Sequence, residues 1–262
     1  MSLPTQTIET YKIKLPSSGE TIEIRPILVR EEKIFLIGKE STTSKEFMDS
    51  LIKVVSNCLI SPKGIDVGSY FSYNDFVFIF MELRKISKGE GILLNLTCSN
   101  PECTDEGKDE ETGEKIKVPH IEKSIKFDLN KIIRILDERK DKKRIIKLAD
   151  DLAVEMKYVK VNYVKELATE DEEHPEKKIP KISTYFMLAK HIQAVLKGEE
   201  RWEKFTPEEA TDWLDSLKKE QAEKIIDWVN EEPRPIMELS WKCTKCGKEQ
   251  SNKEENLLRF LN

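Results

Sequence analysis

Four of the five cysteines fall into two close pairs, Cys98-Ser-Asn-Pro-Glu-Cys103 and Cys243-Thr-Lys-Cys246-Gly247. Thiolates are zinc ligands, and four of them fill a tetrahedral shell with no open position for water or substrate. Two short-spaced pairs are the pattern of two zinc knuckles. The chemistry expected is therefore the binding of one structural Zn2+ by Cys98, Cys103, Cys243 and Cys246. A thioredoxin-like redox pair at Cys243 and Cys246 is the weaker reading. That chemistry calls for a helix N-terminus to lower a thiol pKa, whereas this pair follows an apolar run and precedes a glycine. Cys58 lies on the apolar face of a helical segment and reads as core.

Each pair follows a strand-like run, Ile92–Leu96 for the first and Ile236–Trp241 for the second. Two strands ending in tight turns would bring together sulfurs that are about 140 positions apart, which constrains the whole fold. The energetics allow it. Closing a loop of over a hundred residues costs about 5 kcal/mol, and structural zinc returns roughly 10–16 kcal/mol.

The rest of the chain supplies a mixed α+β framework. Alternating residues over Thr7–Leu15 and Thr21–Ile27, around Pro16-Ser17-Ser18-Gly19-Glu20, predict an N-terminal β-hairpin. Helices are expected over Val29–Ser41, Ser44–Leu59 and Ser72–Ser87, the last apolar on most sides and so buried. Glu31, Glu32 and Asp75 sit in first turns, where the helix dipole favours acids, and Gly89 follows the third helix as a C-cap. Beyond the first knuckle strand come an acidic hairpin tip (Thr104–Lys115), strands at Ile116–Val118 and Ile121–Phe127, and two more at Ile145–Leu148 and Leu152–Tyr158. Glu170–Lys178 reads as a linker. Helices are then expected over Ile182–Leu196, Pro207–Leu217 and Lys219–Asn230, with Thr206-Pro207-Glu208-Glu209 a strong start signal. A last strand leads to the second knuckle, and a short amphipathic helix carries Leu257, Leu258, Phe260 and Leu261. The regions are thus 1–90 (hairpin plus helices), 91–169 (β-rich, with the first knuckle) and 179–262 (helical, ending in the second knuckle), read as one interlocked unit.

Charge narrows the functions. The 262 residues are 35% charged with net charge −5, and Glu102–Lys115 alone, with seven acids and two lysines, accounts for that surplus. A neutral remainder argues against broad steering of nucleic acid, which needs excess positive charge. The basic run Arg139–Arg144 lacks interleaved aromatics and reads as a solvated face. No apolar run approaches the ~20 residues of a membrane span, and the first residues lack a signal peptide's pattern. The expectation is a soluble protein of a reducing compartment. His120, His174 and His191 have no ligand or triad partner at recognisable spacing. There is no nucleophile elbow or phosphate loop, so no enzyme and no small-molecule substrate are expected.

Three stretches carry a resemblance. Ile24-Arg25-Pro26-Ile27-Leu28-Val29-Arg30-Glu31-Glu32-Lys33-Ile34 resembles the strand–proline–helix entry of T4-type phage baseplate hub proteins. Phe71–Phe76, continuing through Leu83-Arg84-Lys85-Ile86-Ser87-Lys88-Gly89-Glu90, is similar to that family's central helix and its exit. Pro235 to Phe260, with the closing cysteine pair, is similar to its C-terminal part. Arg30, where lysine is usual, and Asn262, where aromatics often close the chain, depart from the pattern.

The resemblance implies a contractile-tail phage protein needed for baseplate hub assembly, as hub subunit or as assembly catalyst. Its partners would be other hub or tape-measure proteins, and its place the host cytoplasm during assembly and the virion tail thereafter. Partner surfaces are expected on the helices of Val29–Leu59 and on the C-terminal helices, with Trp202, Trp213 and Trp228 as exposed candidates, although helical spacing favours simple core packing for the tryptophans. The rival from another class is a zinc-ribbon regulator that binds nucleic acid.

Overall fold

A computed structural model describes residues 7–41, 43–109, 113–137, 144–165, 184–254 and 257. Helices and strands are mixed throughout, as an α+β chain requires. The chain divides into two compact units, each assembled from two segments: Met1–Leu83 with Asp137–Arg234, and Arg84–Leu136 with Pro235–Asn262.

The first unit opens with the expected hairpin. Tyr11–Lys14 pairs antiparallel with Thr21–Ile24, and Gly19 turns the chain at φ +71°, a conformation glycine adopts without strain. A third strand, Leu59–Ser61, joins this sheet where the sequence reading had only the end of a helix. The helices Val29–Glu40 and Ser44–Cys58 pack closely. A Cβ on Gly38 would lie 1.9 Å from Ser50 Oγ, so glycine is required for their approach. Arg25 and Glu31 form an ion pair of 3.1 Å with both side chains buried. Arg25 also donates to Asn57 O and Pro26 O, and Glu31 accepts from Leu28 N. Burial acts to raise the Glu31 carboxyl, but the Arg25 and Arg30 guanidiniums and the Leu28 amide hold it below the usual carboxylate range. Cys58 is buried beside this pair, and burial pushes its thiol up to about 11. Helix Tyr73–Lys88 starts at Ser72, whose Oγ accepts from Asp75 N. Gly89 follows its end at φ +82°.

The later part of this unit corrects the helical reading of Ile182–Leu196. The helix is Thr184–Ala189, and Ile192–Lys197 is a strand. It takes the place beside Leu152–Met156 in a four-stranded antiparallel sheet that also holds Ile145–Lys147 and Glu200–Trp202 at its two edges. A short apolar run fits helix and strand alike; here the neighbouring strand decides, with Ile192 and Ala194 buried at period two. Gly198, at φ +59°, makes the two-residue turn into Glu200–Trp202. Helices Pro207–Asp215 and Lys219–Asn230 follow as expected, the first with a complete capping box between Thr206 and Glu209. Leu148, Val154, Met156, Ile192, Leu214 and Ile225 are among the core residues packed between sheet and helices. Trp228 belongs to that core, stacked on Tyr158 with ring centroids 5.3 Å apart, which fits the core-packing reading and removes it from the exposed candidates. Trp202 is exposed and Trp213 half-buried. The predicted linker Glu170–Lys178 lies outside the described residues, as does most of the basic run, of which Arg144 is described.

The second unit is largely β. Gly91–Thr97 pairs with Ile121–Asp128, Thr104–Lys108 with Lys115–Pro119, and Arg234–Lys242 lies between Glu249–Glu254 and Ile133–Leu136. The region read as an acidic tip is therefore mostly a paired hairpin. Arg84 donates to Gly89 O and Gly91 O, tying the helix exit to the first knuckle strand. Of the predicted C-terminal helix, only Leu257 is described, and it is buried.

Candidate metal centre

Strand alternation delivers the sulfurs. Along Gly91–Thr97 the even positions Ile92, Leu94 and Leu96 are buried, and Cys98 continues that face just beyond the strand. Along Arg234–Lys242 the odd positions Met237, Leu239 and Trp241 are buried, and Cys243 continues that series. The second cysteine of each pair is placed by a turn. Cys103 N donates to Asn100 O, while the His120 backbone bridges the first knuckle, accepting from Cys98 N and donating to Cys103 O. In the second knuckle Gly247 N donates to Cys243 O and Cys243 N donates to Lys248 O, with Gly247 at φ +73°.

All four sulfurs lie within 4.8 Å of one another. Cys98 Sγ is 3.7 Å from Cys246 Sγ, and Cys103 Sγ is 3.8 Å from Cys243 Sγ. A zinc–sulfur bond of about 2.3 Å in tetrahedral geometry sets sulfur–sulfur edges of about 3.8 Å, whereas a disulfide needs about 2.05 Å. The close pairs cross between knuckles, first sulfur with last and second with third. Cys98, Cys103 and Cys243 are buried and Cys246 is exposed. The donor set and spacing thus fit a closed zinc site. All four cysteines belong to the second unit, so the cluster joins two distant segments of one unit.

The thiols cannot all ionise unaided. The Lys248 amide, foremost among its neighbours, lowers Cys246 to about 6. Burial and the adjoining sulfurs push Cys103 up to about 12. Cys98 is also raised: the Asn100 amide favours its thiolate, but burial and the neighbouring sulfurs outweigh it. A divalent cation removes this conflict by compensating the thiolate charge.

Polar residues that the sequence reading passed over hold the knuckles together. Asp105, counted there only as part of an acidic tip, accepts from Lys245 Nζ at 2.5 Å and faces His120 Nδ1 at 2.7 Å. Lys245 Nζ also donates to Thr104 O at 2.6 Å. Glu122 accepts from Thr244 N and Thr244 Oγ1, both at 2.9 Å. Gln250, buried opposite Trp241 in the strand pair, accepts from Ser99 N at 3.1 Å and points Nε2 at Cys98 Sγ, 3.5 Å away. The Thr244 amide holds the Glu122 carboxyl, and Lys245 the Asp105 carboxyl, below the usual range. One carboxylate from the first segment thus grips each residue at the tip of the second knuckle. The only sequence signal was position: both acids fall within a few residues of the hairpin that carries Cys103.

His120 does approach the centre, and with Glu122 and Cys243 it forms a second group of possible ligands sharing Cys243. His191 lies elsewhere, in the first unit, buried with Nδ1 at 3.0 Å from Met187 O and Nε2 at 3.8 Å from Glu232. His174 lies outside the described residues.

The model of the T4 bacteriophage base plate protein family matches residues 8–262. The chain belongs to that family. The base plate family match spans both units and takes in all four cysteines, both knuckle strands and the Arg25–Glu31 entry to the first helix. No curated protein and no solved structure matches the chain. Among the described residues, no helix is long and apolar enough to cross a membrane.

Proposed function

We propose that this base plate family protein is a non-enzymatic component of contractile-tail baseplate hub assembly, acting through contacts with other hub or tape-measure proteins, with a structural Zn2+ held by Cys98, Cys103, Cys243 and Cys246. The family match over nearly the whole chain carries this reading. The closed set of four sulfurs supports a metal that shapes the fold rather than one that meets substrate, because no ligand position remains for water. The carboxylates of Asp105 and Glu122, bonded to Lys245 and Thr244 at the tip of the second knuckle, weigh against the nucleic-acid regulator.

The test is a pull-down from infected cells with the tagged chain, followed by a search for the chain in purified particles. Recovery of hub or tape-measure proteins is expected. A chain retained in finished virions acts as a subunit, and one found only in assembly intermediates acts as a catalyst or chaperone. Recovery of neither class of partner overturns the proposal, as does tight, salt-sensitive binding of DNA in a gel shift.

A further inference from the structure

The core of the first unit is open on one side. Between the four-stranded sheet and helices Pro207–Asp215 and Lys219–Asn230 lies a groove of about 590 Å³, lined by Leu152, Val195, Trp202, Phe205, Trp213 and Leu217. Three aromatics at the mouth of one groove, with Trp202 44% exposed, form a surface of the kind that anchors a partner's apolar side chains.

Two further observations define what fits there. The first is charge. The segments 149–152 and 195–217 that line most of the groove carry nine acids against three bases. Of the three, Arg201 is already engaged by Glu155 and Glu203. Asp151 and Glu209 lie in the groove lining itself, and Lys197 is the one base there. The second is backbone. Glu200–Trp202 stands at the edge of its sheet, with Ile192–Lys197 as its strand neighbour among the described residues. An edge strand offers main-chain donors and acceptors to an added extended segment, whose alternate side chains then point to one side. On the Trp202 side, which the register gives to Trp202, Val195 and Lys197 alike, that means into the groove, where Asp151 and Glu209 stand among the apolar residues.

We propose that this groove binds an extended segment of a partner protein whose groove-facing side chains, at every second position, are apolar residues beside a lysine or arginine, the apolar side chains seated against Trp202, Phe205 and Trp213 and the cation facing Asp151 and Glu209. The occupant follows from the groove's own chemistry and goes beyond the base plate reading.

The test uses the full chain and a fluorescein-labelled, blocked hexapeptide Lys-Thr-Leu-Thr-Leu-Thr, whose lysine and leucines share one face of an extended strand, with anisotropy as the readout. Binding is expected to weaken as salt rises. It should be lost with glutamate in place of lysine, and fall at least about tenfold with serine in place of leucine. Trp202→Ala should weaken it by at least about tenfold, as for an anchor tryptophan, without moving the thermal midpoint. Lys197→Glu, at an exposed position, should strengthen it several-fold and Asp151→Lys should weaken it, so the inference is testable even if Trp202→Ala proves unstable. Ile37→Ser, on the exposed face of the first helix, should leave it unchanged. The proposal falls if the lysine peptide does not bind, if the glutamate peptide binds as well, if Lys197→Glu and Asp151→Lys leave affinity unaltered, or if Ile37→Ser abolishes binding.

Discussion

The sulfurs of Cys98 and Cys246 stand 3.7 Å apart although 148 positions separate them in the chain. That distance is an edge of a zinc–thiolate tetrahedron and nearly twice the length of a disulfide bond. Protein purified without chelator is therefore expected to hold about one zinc per chain by elemental analysis. Cys243→Ser should lose most of that metal and several kcal/mol of stability, part of the roughly 10–16 kcal/mol a structural zinc supplies in small peptides. A metal-free protein of full stability would overturn the assignment.

Protons compete with the metal for the sulfurs. Without a cation Cys103 is pushed up to about 12, so a neutral-pH site with four thiolates exists only when metal is bound. Zinc occupancy should accordingly fall as pH is lowered from neutrality, with release followed by a chromogenic chelator. Occupancy that rose on acidification would contradict thiolate ligation.

The carboxylates that grip the second knuckle should hold the metal in place indirectly. Glu122→Gln and Asp105→Asn remove no sulfur, yet each loosens a contact to Thr244 or Lys245. Loss of supporting partners around a metal site usually costs about 10–100-fold in affinity. Competition titration should therefore find zinc bound at least about tenfold more weakly in the double variant, with stoichiometry still near one.

Glu31 gives a separate pH signature in the first unit. Its folded pKa lies below that of an unfolded glutamate, about 4.3. Its contribution is thus fully present above that value and is lost as pH falls through the folded pKa. Glu31→Gln leaves the buried Arg25 guanidinium without its charge partner and should cost about 3 kcal/mol or more at neutral pH. Urea melts at neutral and acid pH should show the difference between wild type and variant shrinking on acidification.

Gly38 and Ser50 set the spacing of the first two helices. Gly38→Ala should destabilise by about 1–3 kcal/mol through overpacking, and Ser50→Gly in the same chain should restore much of it, since Ser50 Oγ and Cβ are the atoms a new methyl would strike. Additive losses in the double variant would show that the contact is not the cause.

Much of this was readable in the residues. The hairpin around Gly19, the capping box at Thr206 and the strand runs before Cys98 and Cys243 are local signals, and each formed as its chemistry directs. Ile192–Lys197 was not readable, because a six-residue run with four apolar residues takes its conformation from the strand beside it. Trp228 is buried as its helical spacing favoured, but spacing does not show that Tyr158 is the ring it stacks on. The four cysteines could be grouped from spacing and type. Asp105, Glu122 and Gln250 could not, since their role depends on which hairpin tip reaches them.

The unit that holds the four sulfurs is interrupted in sequence by residues 137–234, which belong to the other unit. During synthesis the first knuckle therefore emerges well before its counterpart. At about 5–20 residues per second, Cys98 and Cys103 wait roughly 7–30 s for Cys246 to be made. Through that interval they are a half-site, open to oxidation and unable to complete a tetrahedron. A chain cut short anywhere before Cys243 stays in that condition permanently. Closure of the centre thus depends on translation through Cys246, sealing only those molecules that carry both knuckles.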